Sequence, residues 1–333
     1  MARGESDQHK GTRGPTSVLI TGAGGYIGRQ VVSRLAADPR SLKTIVAMDV
    51  RRVPAKGRLA AVEYVKADVR SPDLPALLQR HGVETVVHLA SIVTPAKGMT
   101  NEFLYSVDVL GTRNVLEACV ATGVAHLIVT SSGAAYGYHA DNPEWLAESA
   151  PLRGNDAFAY SRHKRIVEED LARYRAEHPQ LRQLVFRPGT ILGESTSNQI
   201  TALFEKPVVL GIRGAASPWV FIWDEDVVNC IVIGIHERRE GIYNLAGDGV
   251  MTMRDVAARL GKPYVALPAD VVRGALRFLN ALRLSQYGPE QVEFLQFRPV
   301  LKNDALKRQF GYTPRLSTRQ VFDLYVRGRR RRG

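Results

Sequence analysis

The sequence predicts an α/β fold: a doubly wound parallel sheet with a smaller, mostly helical C-terminal substrate lobe. Three observations predict it. Short apolar runs alternate with stretches of helical period from Ser17 to Pro188. The runs are near-continuously apolar, as strands are when both sheet faces are covered. A glycine-rich turn, Thr21-Gly22-Ala23-Gly24-Gly25-Tyr26-Ile27-Gly28, joins the first run directly to the first helical stretch.

Ser17-Val18-Leu19-Ile20 reads as the first strand, and Arg29 to Ala36 as a helix with Val31, Val32 and Leu35 on one face. Leu42 to Met48 is the second strand, ending in Asp49, and Val62 to Val65 a short third. Leu74 to His81 reads as a helix, Val83 to Leu89 as a strand, and Val107 to Ala121 as a helix. His126 to Thr130 is a buried strand, Ala159 to Tyr174 a long helix, and Leu184 to Phe186 a strand stopped by Pro188. Past 188 prolines and glycines cluster, and only Val220 to Ile235 and Ile242 to Leu245 still read as parts of the sheet domain. The expected division is a tail over 1–16, a Rossmann domain over 17–187 plus 219–248, a substrate lobe over 188–218 plus 249–326, and a basic tail over 327–333.

The order strand, glycine turn, helix builds a site for a dinucleotide pyrophosphate. Gly22, Gly25 and Gly28 allow a tight turn, close approach of backbone to phosphate, and close packing of helix on sheet. The helix N-terminus offers free N–H groups and the positive end of its dipole. Asp49 lies about 20 residues beyond the last glycine, where a carboxylate binds the adenosine ribose and repels a 2′-phosphate. NAD is therefore favoured over NADP, although Arg51 and Arg52 soften the repulsion.

Composition bounds the alternatives. The chain has 333 residues, 45% of them hydrophobic, and a net charge of +12. Arg327, Arg329, Arg330, Arg331 and Arg332 supply five of those charges. The body is only mildly basic, and no aromatic residue interleaves the arginine run to stack on bases. Nucleic acid is not an expected partner. Cys119 and Cys230 are the only cysteines and have no neighbour at metal-ligand spacing, so buried thiols, no metal site and a reducing cytoplasm are expected. No apolar run is long enough to span a bilayer. Val271 to Leu284, with Arg273, Arg277 and Arg283 among apolar residues, reads as a packed lobe helix with snorkelling arginines. A lid, a dimer surface or a membrane-surface helix are its other readings.

Tyr160-Ser161-Arg162-His163-Lys164 opens the long helix, and residues four apart share a face, so Tyr160 and Lys164 point together. An ammonium beside a phenol favours phenolate, which can take a proton from a hydroxyl as a hydride leaves for a nicotinamide. Ser132, at the end of the preceding strand, can hydrogen-bond the same oxygen. His163 is read as lying on another face, in a surface or structural role.

The chain resembles the extended short-chain dehydrogenase/reductases, the NAD-dependent epimerase/dehydratase family, in a UDP-glucose 4-epimerase-like manner. The matching motifs are TGAGGYIG at 21–28, Asp49, Asp68, HLAS at 88–91, GTRNVLEA at 111–118, TSSGAAYG at 130–137, YSRHK at 160–164, RPGTILG at 187–193 and VFIWDEDVV at 220–228. The resemblance implies catalysis by Ser132, Tyr160 and Lys164. It implies cofactor contacts from Gly22, Gly25, Tyr26, Ile27, Gly28, Asp49, Asp68, Val69, Leu89, Ala90, Ser91, Tyr160, Lys164 and Pro188, with Asp68 and Val69 beside the adenine. It also implies a homodimer through the helices at 107–121 and 159–174.

The departures bear on the substrate. Gly133 and Ala134 stand where dehydratases carry acids, which argues against elimination. Thr190 replaces an expected Asn, Trp219 an expected Arg of a diphosphate clamp, and Asp108 an Asn before the GTRNVLEA helix. Arg213 and Arg298 are candidate replacements for the clamp. The small-molecule substrate expected is a nucleotide sugar undergoing 4-epimerisation. The alternative is a non-nucleotide alcohol or ketone acted on by an NAD(P)-dependent dehydrogenase or ketoreductase.

Overall fold

The structure is a computed structural model that describes residues 14–96, 98–282 and 288–331. Most of the expected N-terminal tail, Arg283 and the last two residues lie outside the described residues. Seven strands form the main sheet: β1 (Ser17–Thr21), β2 (Thr44–Asp49), β3 (Glu63–Lys66), β4 (Thr85–His88), β5 (His126–Thr130), β6 (Arg182–Pro188) and, later in the chain, β11 (Gly241–Leu245). Their order is β11-β6-β5-β4-β1-β2-β3, and every neighbouring pair is parallel. The order reverses between β1 and β4, so a crevice opens at their carboxyl ends.

Alternation along the strands divides the core. Val18 and Ile20 of β1 pack with Val31, Val32 and Leu35 of α1 (Tyr26–Ala37) and with Val227, Ile231 and Ile235 of α7 (Asp224–Glu237). Leu19 faces the other way, toward α2 (Leu74–Arg80), Val115, Leu116 and Cys119 of α4 (Gly111–Thr122), and Val167 and Leu171 of α5 (Ala159–Glu177). Each such aliphatic side chain stabilises the fold by about 1.5–3 kcal/mol on burial. Between α3 (Asn101–Tyr105) and α4 the helix widens into a π-turn over Ser106–Leu110.

The C-terminal region has its own aromatic core, with Phe204, Trp219, Phe221, Phe294, Phe322 and Tyr325 at its centre. It contains α6 (Gln199–Glu205), α8 (Met253–Leu260), α9 (Ala269–Ala281), α10 (Gln291–Gln296) and α11 (Thr318–Arg330). It also holds three two-stranded sheets that the sequence reading missed. These pair β7 (Thr190–Leu192) with β10 (Phe221–Trp223), β9 (Pro218–Trp219) with β12 (Met251–Thr252), and β8 (Val209–Ile212) with β13 (Tyr264–Leu267). Such strands are two to four residues long, too short to show a period.

Two further expectations need correction. The basic tail is not a tail at its start, because α11 runs on to Arg330. Gly328 packs so closely that a Cβ there would lie 2.5 Å from the Glu194 carbonyl oxygen, and Arg329 donates to the Phe204 carbonyl at 3.0 Å. Arginines in a last helical turn also suit the helix dipole. Nor is α9 a packed helix, since it buries no residue. Val271, Phe278 and Leu282 are exposed, Phe278 at 65%. No helix among the described residues is long and apolar enough to cross a membrane.

Candidate active site

The site is assembled from strand ends. Gly22 follows β1 with φ of +65°, and a Cβ there would come within 2.7 Å of the Ala90 nitrogen. A Cβ on Gly28 would lie 2.2 Å from the Gly22 carbonyl oxygen. The Gly28→Ala variant is therefore expected to lose about 3 kcal/mol, read as a lower urea midpoint. Gly25 is the N-cap of α1, and Ile27 lies in its first turn. The Thr21 hydroxyl accepts from the Leu89 and Ala90 nitrogens, both at 3.2 Å, and so ties β1 to the end of β4.

Asp49, buried at the end of β2, accepts from the Gly24 nitrogen at 2.9 Å and from the Arg51 nitrogen at 2.9 Å. Arg51 folds back over it, its guanidinium reaching the Gly24 carbonyl at 3.0 Å. Asp68 carries the Arg70 guanidinium, whose hydrogen bonds hold the carboxyl below its ordinary range against desolvation. Val69 beside it is buried. Tyr26, one of the expected cofactor contacts, has its hydroxyl engaged within the protein. Its hydroxyl donates to Asp224 at 2.6 Å and accepts from Thr196 at 3.0 Å, so the ring joins α1 to α7 and only its backbone stands at the helix N-terminus.

Across the crevice, Ser131 and Ser132 follow β5, and Tyr160 and Lys164 occupy the first turns of α5. Ser132 hydrogen-bonds Tyr160, and the Lys164 ammonium lies 5.6 Å from the Tyr160 ring centroid while donating to the Thr130 carbonyl at 3.4 Å. Burial pushes the Tyr160 phenol up to about 12; the Ser132 bond opposes this and the Asp108 charge adds to it. Burial draws Lys164 down, against the charges of Asp108 and Glu168.

A buried ion pair supports this arrangement. Arg187 meets Glu168 of α5 at 2.6 Å, Ser131 donates to the same carboxylate, and Arg187 reaches the Tyr136 hydroxyl at 2.8 Å. It fastens β6, where Pro188 is also buried, to α5 and to the end of β5. Removing one partner leaves a buried charge alone, so Glu168→Gln is expected to cost about 3–5 kcal/mol in chemical denaturation.

Tyr160, Asp108 and His163 line a cavity of about 390 Å³ whose other walls include Ile92, Phe158 and Glu290. His163 is not a surface residue. Three positions after Tyr160 on a helix, it lies on an adjoining face, and it is 1% exposed. Ser91 donates to Asp108 at 3.0 Å. Of the two candidate clamp arginines, Arg213 is exposed, whereas Arg298 is folded into the aromatic core. Its guanidinium lies 3.6 Å from the Trp219 ring centroid and 4.4 Å from that of Phe294, and donates to the Thr190 hydroxyl at 3.0 Å. The two positions at which the sequence departs from the expected clamp thus meet at one arginine. Its Nη1 is buried without a hydrogen-bond partner among the described residues.

A model of the NAD dependent epimerase/dehydratase family matches residues 18–246. The chain belongs to that family. The match runs from Val18 in β1 to just past β11 and so covers the glycine turn, Asp49, Asp68, Ser132, Tyr160 and Lys164, but not Glu290 or Arg298. An uncharacterised protein of Mycobacterium tuberculosis is 23% identical over 319 residues, covering 95% of this chain and 84% of that protein. Among solved structures, the UDP-glucose 4-epimerase of Thermotoga maritima with UDP-glucose aligns at a TM-score of 0.73 and 17% identity, over 95% of this chain and 99% of that one. The UDP-glucose 4-epimerase of Thermus thermophilus with NAD aligns at 0.72 and 20% identity, over 94% and 99%. These likenesses place this member of the family in the fold of NAD-dependent enzymes.

Proposed function

We propose that this protein catalyses NAD-dependent hydride transfer at a secondary alcohol or ketone, with a nucleotide sugar as substrate and 4-epimerisation as the reaction. The observation that carries the reading is the meeting of Ser132, Tyr160 and Lys164 beside a cavity at the carboxyl edge of the sheet. Gly22, Gly25, Gly28 and the N-terminus of α1 would hold the pyrophosphate of NAD, in a turn whose backbone is too tight for a Cβ at Gly22 or Gly28. Asp49 would take the adenosine ribose, Asp68 and Val69 the adenine side, and Leu89, Ala90, Ser91 and Pro188 the length of the cofactor. Bound NAD supplies a hydride acceptor. Tyr160 takes the proton of the substrate hydroxyl as the carbon–oxygen bond becomes a carbonyl, Ser132 hydrogen-bonds that oxygen, and Lys164 favours the phenolate. In the return direction Tyr160 gives the proton back.

The nucleotide reading is supported by Arg298, whose buried Nη1 has no hydrogen-bond partner among the described residues and whose guanidinium meets no carboxylate among them, as a phosphate would require. One observation favours the second reading, a dehydrogenase or ketoreductase of a non-nucleotide alcohol. Among the described residues the cavity wall carries Asp108 and Glu290 but no lysine or arginine. The deciding measurement is thermal stability of the NAD-loaded protein with UDP, dTDP, GDP or coenzyme A, followed by absorbance of NADH. A ligand at about 100 times its dissociation constant stabilises by about 2.7 kcal/mol. A shift with one nucleotide, and no lasting NADH with its sugar, is the expected result. No shift with any of them, and net NADH formation from simple alcohols, would replace the epimerase by the dehydrogenase. Homodimerisation through α4 and α5 belongs to the same proposal and is checked by light scattering.

A further inference from the structure

We infer that the adenosine-ribose pocket admits a 2′-phosphate, so that the protein takes NADP as well as NAD, and that Arg51 is the residue that decides it. The inference rests on the proposed place of the cofactor along the strand ends and adds a second dinucleotide to it. Asp49 favours NAD in the sequence; Arg51 in the structure changes the charge that the ribose meets.

A carboxylate at the end of β2 repels a 2′-phosphate while its charge faces the ribose uncompensated. Asp49 is not in that state. One of its oxygens accepts from the Gly24 nitrogen at 2.9 Å, and the other accepts from the Arg51 nitrogen at 2.9 Å and from Arg51 Nε at 3.3 Å. A carboxylate offers about four lone-pair sites, so one acceptor site is left for a ribose hydroxyl and NAD still fits. The guanidinium does not turn away into solvent. Its Nη2 donates to the Gly24 carbonyl at 3.0 Å, so it bridges Asp49 and the glycine turn, the two walls between which the adenosine ribose would lie. Its side chain is nonetheless 71% exposed, and Asp49 is the only carboxylate it pairs with among the described residues. Those bonds use the Nε–Nη2 edge, and a guanidinium fixed by one edge can present its other nitrogen to a phosphate. The neighbouring charges have the same sign. Arg52 is exposed, and so is Lys66, the Cα partner of Asp49 in the β2–β3 ladder. Asp68 is offset by Arg70 at 2.7 Å. The carboxyl ends of β2 and β3 therefore carry Arg52 and Lys66 beyond the cations that offset Asp49 and Asp68. A 2′-phosphate would bring about −1.5 to −2 charges to that place at pH 7.

The test uses the full chain and the fluorescence of bound NADH and NADPH, which differ only in the 2′-phosphate. The expected result is a dissociation constant for NADPH no more than about ten-fold above that for NADH. Arg51→Ala changes an exposed side chain and keeps the backbone N–H that bonds Asp49. It bares the carboxylate and removes the phosphate ligand together, so it should raise the ratio of the NADPH constant to the NADH constant by about 10–100-fold. Arg51→Lys keeps the charge without the fork and should raise the ratio by less. A gap wider than about ten-fold in favour of NADH in the unchanged protein, or a ratio that Arg51→Ala leaves in place, would overturn the inference. Failure of the hydride-transfer reading shows separately, as turnover unaffected by Tyr160→Phe while both dinucleotides bind.

Discussion

Replacing Tyr160 with phenylalanine is expected to lower kcat by about 10²–10⁴-fold, the range of a positioned proton-transfer group, while leaving NADH binding in place. Fluorescence of bound NADH checks the second half, and single-turnover absorbance the first. Retention of most of the rate would move the proton acceptor elsewhere. The pH profile adds a sign. Burial pushes the phenol up to about 12, and oxidation requires phenolate, so the oxidation rate should rise with pH through the apparent pKa of the phenol. A cationic nicotinamide favours phenolate and brings that limb below 12 in the loaded enzyme. Lys164→Met removes a neighbouring cation and should carry the limb to higher pH. A limb that stayed still would mean that Lys164 acts on the cofactor alone.

The Arg298→Met variant is expected to weaken binding of the preferred nucleotide by about 30–1000-fold, as truncating one partner of a buried charge pair does. The same change should not destabilise the protein without nucleotide, and its unfolding midpoint should stay level or rise at neutral pH. The sign follows from the direction of the shift. Burial draws the guanidinium down to about 10, against the opposing effect of Tyr138. A base whose folded pKa is depressed costs stability while it is charged. The cost is fully present below pH 10 and is relieved as pH rises from there toward the ordinary range of the group. Methionine keeps the stacking surface over Trp219 and Phe294 without the charge. Isothermal titration with UDP and dTDP, beside urea unfolding, separates the two effects. A variant that lost stability and kept its nucleotide affinity would make Arg298 a structural residue.

How much of this was legible in the chain follows from the range of each interaction. Strands β1, β2 and β5 and helices α1 and α5 were readable because a buried strand or a half-buried helix writes its period into consecutive residues. The pyrophosphate turn, Asp49 and the Tyr160–Lys164 pair were readable because their chemistry requires fixed spacings within one strand, turn or helix. Of the two readings of His163, surface or structural, burial removes the surface one, a choice the sequence leaves open even three residues from Tyr160. Its burial depends on Tyr105 and on the π-turn that carries Asp108, which pack against it and which no period in α5 reports. The exposed face of α9 was misread for the same reason: an apolar stripe shows that a helix has a face, not that anything covers it.

By itself the sequence determined the doubly wound sheet, the place of the crevice at its carboxyl edge and the family to which the chain belongs, because each follows from local order. Only the tertiary structure decided which distant side chains meet near the strand ends. Arg298 meets Thr190 and Trp219 across 108 and 79 positions of chain, and Asp108 meets His163 across 55. Contacts of that range are set by how the C-terminal region folds back over the strand ends. Their energies come from desolvation, which depends on what the fold encloses and not on which residues are neighbours in the chain.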